Sequence, residues 1–143
     1  MPGCLILNPY ISRYQSKLSG PLLDRIDLHI EVPAVSAHQL LGAPAGESTA
    51  SIRTRVVAAR EFAVQRQGSP NQALQAGAID QHAALDDAAR KFMVNAAAKL
   101  GWSARSTHRA LKVARTVADL AGAESVRAEH VAEAVQYRRA LRH

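Results

Sequence analysis

The basic side chains best suited to chemistry in this sequence are Arg105, Arg109 and Lys112. At about 100° per residue they share one stripe of a helix predicted over 103–121, with Arg115 at the edge of that stripe. Arg105 lies in the first turn of this helix, where free backbone N–H groups and the helix dipole already favour an anion. The residue types and their spacing therefore indicate phosphate binding, while a solvated basic face accounts for the same stripe without any ligand.

A second candidate is Arg25, which lies between a short predicted helix and a strand predicted over 26–32. A guanidinium at such a junction can reach a neighbouring subunit and stabilise the charge on a transferring phosphoryl group. The alternative is a local ion pair with Asp24 or Asp27, which contributes little to stability when it is exposed. Spacing alone favours the ion pair.

The other reactive residue types form no recognisable site in the sequence. The six histidines show no metal-ligand spacing with cysteine or carboxylates, and His130 is expected to pack or to cap a helix. The segment 42–49 looks faintly like a phosphate loop, but only three residues separate its glycines and Glu47 stands where a lysine is required. The sequence therefore predicts no metal site, no nucleophile beside a base, and a linker where the false phosphate loop lies.

Composition narrows the class of protein. A chain of 143 residues with 48% hydrophobic but only 4% aromatic residues favours one small helical domain over a β-sandwich. No apolar run reaches the roughly 18–20 residues of a membrane span, and no secretory signal opens the sequence. The single cysteine, Cys4, fits a reducing compartment, so we expect a cytoplasmic protein with no membrane partner. The net charge of +6 is compatible with a phosphate-bearing partner and equally with an ordinary solvated surface.

Three zones of the chain must position these side chains. A short helix and a strand occupy 1–33, a linker rich in Ala, Gly, Pro and Ser follows over 34–50, and a helical domain occupies 51–143. Because a lone strand cannot satisfy its own backbone groups, we expect its sheet to lie in sequence upstream. Four helices are predicted in the third zone, over 51–67, 85–100, 103–121 and 128–141. The residues expected to cap or end helices are Ser19, Gly68, Gly101, Ser103 and Gly122, and Asp86 and Asp87 are expected near the start of the helix over 85–100, at the positive end of its dipole.

Several ungapped blocks closely resemble magnesium-chelatase-like AAA+ ATPases of the competence protein ComM/YifB type. The first block is Leu-Ser-Gly-Pro-Leu-Leu-Asp-Arg-Ile-Asp-Leu-His-Ile-Glu-Val-Pro over 18–33. The second is Arg-Gln-Gly over 66–68 with Asn71, and the third runs from Ser-Ala-Arg at 103–105 through His-Arg-Ala-Leu-Lys-Val-Ala-Arg-Thr at 108–116. The resemblance extends from about residue 12 to the C-terminus.

The resemblance implies a fold and a role for two arginines. Residues 1–33 would be the end of an AAA+ core domain, and 51–143 would be its four-helix C-terminal lid, a mainly α fold. Arg25 falls where such proteins carry the arginine finger, which acts on ATP bound by the adjacent subunit. Arg105 falls on the lid position of the sensor-2 arginine, which contacts the γ-phosphate. Arg109, Lys112 and Arg115 are left as possible contacts to DNA or phosphate.

The resemblance also implies partners. The parent protein would form a homo-oligomeric ring, expected to be hexameric, and hydrolyse ATP with Mg²⁺ to remodel a substrate, expected to be DNA. The phosphate loop and the acidic metal motif of such proteins are absent from this sequence, so we predict that the chain alone binds no Mg²⁺-ATP and hydrolyses none. A stand-alone basic helical module that binds DNA, or an adaptor, is the alternative function.

Overall fold

The computed structural model describes residues 19–23 and 25–139, together with the isolated positions 13 and 17. The described part is mainly helical. Its α-helices are α1 (Gly20–Leu23), α2 (Ala37–Gly42), α3 (Thr49–Gln67), α4 (Ala76–Ala83), α5 (Asp87–Leu100), α6 (Ala104–Leu120) and α7 (Ala128–Arg139), and a 3-10 turn spans Asn71–Ala73.

Ser103, Gly68 and Gly101 lie at the helix ends that the sequence predicts for them, and Asp86 is a further cap that the sequence analysis did not assign. The Oγ of Ser103 accepts a hydrogen bond from the backbone N–H of Ser106, and the Asp86 carboxylate accepts one from Ala89, so these two residues begin α6 and α5. Gly68 and Gly101 end α3 and α5 in the left-handed conformation, which glycine adopts at little cost. The positions of these three helices were therefore predictable to within a few residues.

The prediction of four helices in the third zone is not confirmed, because 49–139 contains five. The additional helix is α4, which contains Gly77, a residue type with low helix propensity. Ile79 and Ala83 of α4 are buried in the core, and this tertiary packing outweighs the low helix propensity of Gly77. A second short helix, α2, lies within the stretch predicted as a linker.

The strand predicted over 26–32 is not confirmed either. These residues are extended but have no regular secondary structure, and Ile30 and Val32 are 68% and 82% exposed. The backbone N–H of His29 donates to the carbonyl oxygen of Tyr137 at 2.8 Å, a bond to a helix end rather than to a strand. A strand requires a pairing strand, and the described part of the chain offers none to this segment.

Helix α6 is the centre of the helical domain and packs against α3, α4 and α7, while α5 packs against α7. Its buried face, opposite the basic stripe, carries Ala110, Ala114 and Ala118 at successive turns, all fully buried. Small side chains at this spacing let neighbouring helices approach closely. The core that results is rich in alanine and has Ile79, Met93, Leu111 and Val131 as its larger members.

Two further features complete the described fold. An isolated parallel β-bridge joins Leu85 to Val126, so that the segments leading into α5 and α7 lie side by side. None of the described helices combines the length and the apolar character that a membrane crossing demands.

Candidate phosphate-binding cavity

An open cavity of about 700 Å³ lies at the N-terminal half of α6, between that helix, the start of α4 and the segment that carries Arg25. Four of the five site residues named from the sequence line it. The lining residues are Arg25, Leu74, Gln75, Ala76, Ile79, Arg105, His108, Arg109 and Lys112. Arg25 and Arg105 are 80 positions apart in sequence, so it is the fold that places them on one cavity.

Arg25 and Arg105 are the two exposed cations of this cavity. Within 19–23 and 25–139, neither side chain forms an ion pair or a hydrogen bond with another residue. Of the two local partners considered for Arg25, Asp27 binds Arg109 instead, and Asp24 lies outside the described residues. Two guanidinium groups without a carboxylate partner can both turn toward a polyanion.

Arg109 lies one helical turn after Arg105 and contacts protein rather than solvent alone. Its Nη1 donates to the backbone carbonyl of Arg25 at 2.6 Å and to the carboxylate of Asp27 at 2.7 Å. The next basic residue of the stripe, Lys112, donates from Nζ to the carbonyl oxygen of Gln72 at 3.0 Å. The stripe therefore contains cations with different tasks: Arg105 is unengaged, while Arg109 and Lys112 hold neighbouring segments.

Arg115 requires a correction, because the sequence placed it at the edge of the basic surface. The structure buries it, with 1% of the residue exposed. Its guanidinium donates to Asp119 and to the carbonyl oxygens of Ala123 and Glu124. Burial lowers the pKa of Arg115, and the carboxylate of Asp119 opposes that change. The side chain of Arg115 is directed into the protein, where it joins α6 to the loop that follows.

A buried polar network around Asp119 is a structural feature that sequence reasoning missed. Arg66 donates to both carboxylate oxygens of Asp119, at 2.6 and 3.0 Å. Asn71 donates to Asp119 at 2.8 Å and to the hydroxyl of Thr116 at 3.0 Å. Arg66 and Asn71 belong to one of the blocks that carry the family resemblance, and that block could have indicated a fixed polar contact. The network joins α3, the 3-10 turn and α6.

Helix α7 holds the segment after Arg25 from the opposite side. Beside the bond from the His29 N–H to Tyr137, Arg138 donates to the carbonyl oxygen of Ile26 at 3.3 Å. Both ring nitrogens of His29 are shielded from solvent and have no hydrogen-bond partner. Burial lowers the pKa of His29, and the positive charge of Arg138 lowers it further. The neutral imidazole is therefore the form that fits this contact.

Metal-binding and histidine chemistry find no support in the described part of the chain. Across 19–23 and 25–139, no group of three or more His, Cys, Asp or Glu side chains is arranged to hold a metal ion. His130 is buried, and its Nδ1 accepts a hydrogen bond from the backbone N–H of Arg127 at 3.0 Å. This confirms the expectation that His130 packs and caps. Cys4 lies outside the described residues.

Fold and cavity together define a class: a helical domain in which several basic side chains from distant segments converge on one open cavity. Comparison with known proteins makes the class specific. The sequence model for the family described as magnesium chelatase, subunit ChlI C-terminal, matches residues 46–138, and that for magnesium chelatase, subunit ChlI, matches residues 3–40. The chain belongs to the magnesium chelatase ChlI C-terminal family.

Individual relatives agree with this membership. Competence protein ComM of Haemophilus influenzae is 42% identical over 133 residues, which is 92% of this chain and 26% of that protein. Protein YifB of Salmonella typhimurium is 39% identical over 131 residues, and YifB of Escherichia coli is 39% identical over 127 residues. Each YifB match covers 88% of this chain and 25% of the relative. The chain therefore spans about a quarter of the length of these relatives.

Proposed function

We propose that this chain is the C-terminal lid part of a ring-forming, magnesium-chelatase-like AAA+ ATPase. In this proposal Arg25 is the arginine finger and Arg105 is the sensor-2 arginine, and both contact the phosphates of ATP held with Mg²⁺ at a subunit interface. They stabilise the charge that develops on the transferring phosphoryl group. Lys112 adds positive charge at the same cavity.

A single observation carries the proposal: Arg25 and Arg105 line one cavity and lack ion-pair partners among the described residues. The position of Arg105 adds to it, because the residue lies in the first turn of α6, directly after the Ser103 cap. At this position the positive end of the helix dipole lies next to a positively charged guanidinium. This arrangement is unfavourable for the helix alone and favourable for a bound phosphate.

A stand-alone DNA-binding module is supported less well than a nucleotide site. That reading relied on Arg105, Arg109, Lys112 and Arg115 as one exposed basic face. Arg115 is buried, and Arg109 and Lys112 are bonded to protein groups, which leaves Arg105 as the unengaged member. We retain DNA only as the proposed substrate of the whole protein, which predicts that DNA stimulates ATP turnover by a longer polypeptide that contains this chain.

The proposal is tested by polyphosphate binding to the 143-residue chain. Inorganic tripolyphosphate at low ionic strength should bind, and Arg25→Ala and Arg105→Ala should each weaken it by about three- to tenfold, as expected for loss of a charge-assisted contact. Isothermal titration calorimetry measures the affinities. Arg90→Ala is the matched control, since Arg90 is an exposed arginine on α5 outside the cavity lining and should bind as wild type does.

Besides a failure of the wild-type chain to bind tripolyphosphate, two results would contradict the proposal. One is equal weakening by all three arginine variants, which would mean that only net charge matters. The other is Mg²⁺-dependent ATP hydrolysis by the pure 143-residue chain, because the sequence contains no phosphate loop with which to hold the nucleotide.

A further inference from the structure

We propose that Asp27 and Arg109 are positioning residues that hold Arg25 on the lid, beside Arg105, so that both arginines move as one unit. This inference rests on the proposed function, which makes Arg25 and Arg105 the phosphate contacts. It gives Arg109 a different task from the phosphate or DNA contact that its position on the basic stripe suggested.

Arg109 bonds directly to the segment that carries Arg25. Its Nη1 reaches the carbonyl oxygen of Arg25 and the carboxylate of Asp27, at 2.6 and 2.7 Å. These acceptors flank Ile26, so one guanidinium holds the backbone carbonyl before Ile26 and the carboxylate side chain after it. A side chain with this bonding orients Arg25 and has less freedom to contact a ligand.

Helix α7 binds the same short segment independently of Arg109. Arg138 donates to the carbonyl oxygen of Ile26, and the N–H of His29 donates to the carbonyl oxygen of Tyr137. Four hydrogen bonds thus tie residues 25–29 to α6 and α7. Arg25 consequently keeps its place relative to Arg105 whenever the lid changes its angle to the rest of the protein.

A positioning role and a purely electrostatic role of Asp27 predict opposite effects of one substitution on the affinity for an anion. Asp27 carries a negative charge close to a cationic cavity, because its partner Arg109 lines that cavity. If Asp27 acted by charge alone, Asp27→Asn would raise the positive potential, release Arg109 and tighten the binding of an anion. If Asp27 holds Arg109 and the Arg25 segment in place, the same substitution weakens binding.

The experiment measures tripolyphosphate affinity for wild type, Asp27→Asn and Asp27→Glu by calorimetry. We expect about two- to fivefold weaker binding for Asp27→Asn, the range of one partly exposed ion pair, and recovery in Asp27→Glu. Glu31→Gln is the matched control, because it removes the same charge from the same exposed segment at a residue without a described partner. Tighter binding by Asp27→Asn would overturn the inference and leave the proposed function intact.

A double-mutant cycle shows whether Asp27 acts through Arg25. In an Arg25→Ala background, Asp27→Asn should change the affinity no further, since there is no guanidinium left to position. Fully additive effects would mean that Asp27 and Arg25 act separately, and would overturn the inference.

Hydrogen exchange separates failure of the inference from failure of the proposed function. We expect Arg109→Ala and Asp27→Asn to lose amide protection at 26–30 while the amides of α5 and α6 keep theirs. Unchanged protection at 26–30 overturns the inference whatever the chain binds. If wild type binds no tripolyphosphate while protection falls as expected, the proposed function fails and the attachment of the segment to the lid stands.

Discussion

Asp119 holds the helical domain together through one buried carboxylate, which accepts hydrogen bonds from three side chains. Arg66, Asn71 and Arg115 all donate to it. Burying these charges costs free energy, and their pairing offsets that cost. The main contribution of the network is therefore to fix the geometry of the segments that it joins. Removing Asp119 leaves the guanidinium of Arg115 buried without a carboxylate partner.

We therefore expect Asp119→Ala to lower the free energy of unfolding by about 3–5 kcal/mol, the range for breaking a buried ion pair. The matched control is Glu47→Ala, which breaks the exposed pair with Arg55 and should cost less than about 1 kcal/mol. Urea unfolding followed by circular dichroism measures both, with Asp119→Asn as a milder variant. Equal costs for Asp119→Ala and Glu47→Ala would contradict the role given to the network.

His29 makes the docking of residues 26–30 dependent on pH. Burial and Arg138 lower its pKa from 6.5 in the docked segment, so the undocked segment binds more protons as the pH falls. Docking is accordingly at full strength above pH 6.5 and weakens as the pH falls through the lowered pKa. Amide exchange at 26–30, corrected for intrinsic rates, should show a loss of protection as the pH is lowered from about 7.5 to about 5. These two values lie above and below the ordinary histidine pKa of about 6.5.

The control for this pH dependence is His29→Phe, which keeps a ring of similar size and removes the titrating group. Its protection at 26–30 should stay nearly constant over the same range. The same loss of protection in His29→Phe as in wild type would show that another group is responsible.

At the scale of elements, the helices with clear capping residues and apolar periodicity could be predicted from the sequence. The formation of the others depends on tertiary packing. Ser103, Gly68 and Gly101 act as the sequence predicted, since capping depends on a few local hydrogen bonds. Helix α4 was not predictable in this way, because its stability comes from burying Ile79 against distant helices. The strand over 26–32 was predicted from its alternation of apolar and polar residues. This alternation indicates which face of a strand would be buried, but not whether a pairing strand exists.

Gly77 offers a test of α4. A Cβ at this position would have no heavy atom within 4 Å, and the residue lies inside the helix. We expect Gly77→Ala to raise the free energy of unfolding by about 0.5–1 kcal/mol, because alanine loses less backbone entropy on entering a helix. Thermal or urea unfolding checks this.

Gly68→Ala is the matched control for Gly77→Ala. Its surroundings are equally open, but its φ of +75° is a conformation that alanine rarely adopts, so this substitution should destabilise the domain. A destabilising Gly77→Ala would mean that 76–83 is not helical in solution.

At the scale of the whole molecule, the candidate site consists of parts that the sequence could name but not assemble. The first-turn position of Arg105 followed from local rules, and its role followed from the resemblance. The proximity of Arg25 to Arg105 depends on how residues 25–29 dock on α6 and α7, which no local pattern contains. Arg115 was misplaced for a related reason. Helical spacing puts it at the edge of the basic stripe on α6, but does not say whether that edge is exposed or buried. The bonds of Arg115 to Asp119 and to the 123–124 loop show that it is buried.

The shared cavity has a consequence for the assembly that we propose. If Arg25 reaches ATP on the neighbouring subunit, Arg105 of the same chain must reach that same ATP, because both line one cavity. The experiment mixes two variants of a longer polypeptide that carries this chain. One variant lacks the lysine of its phosphate loop, and the other carries Arg25→Ala with Arg105→Ala. Each alone should be inactive, and the mixture should recover part of the wild-type ATP turnover at interfaces that combine an intact loop with intact arginines. If Arg105 instead serves the ATP of its own subunit, every such interface lacks it, and the mixture stays as slow as Arg105→Ala alone.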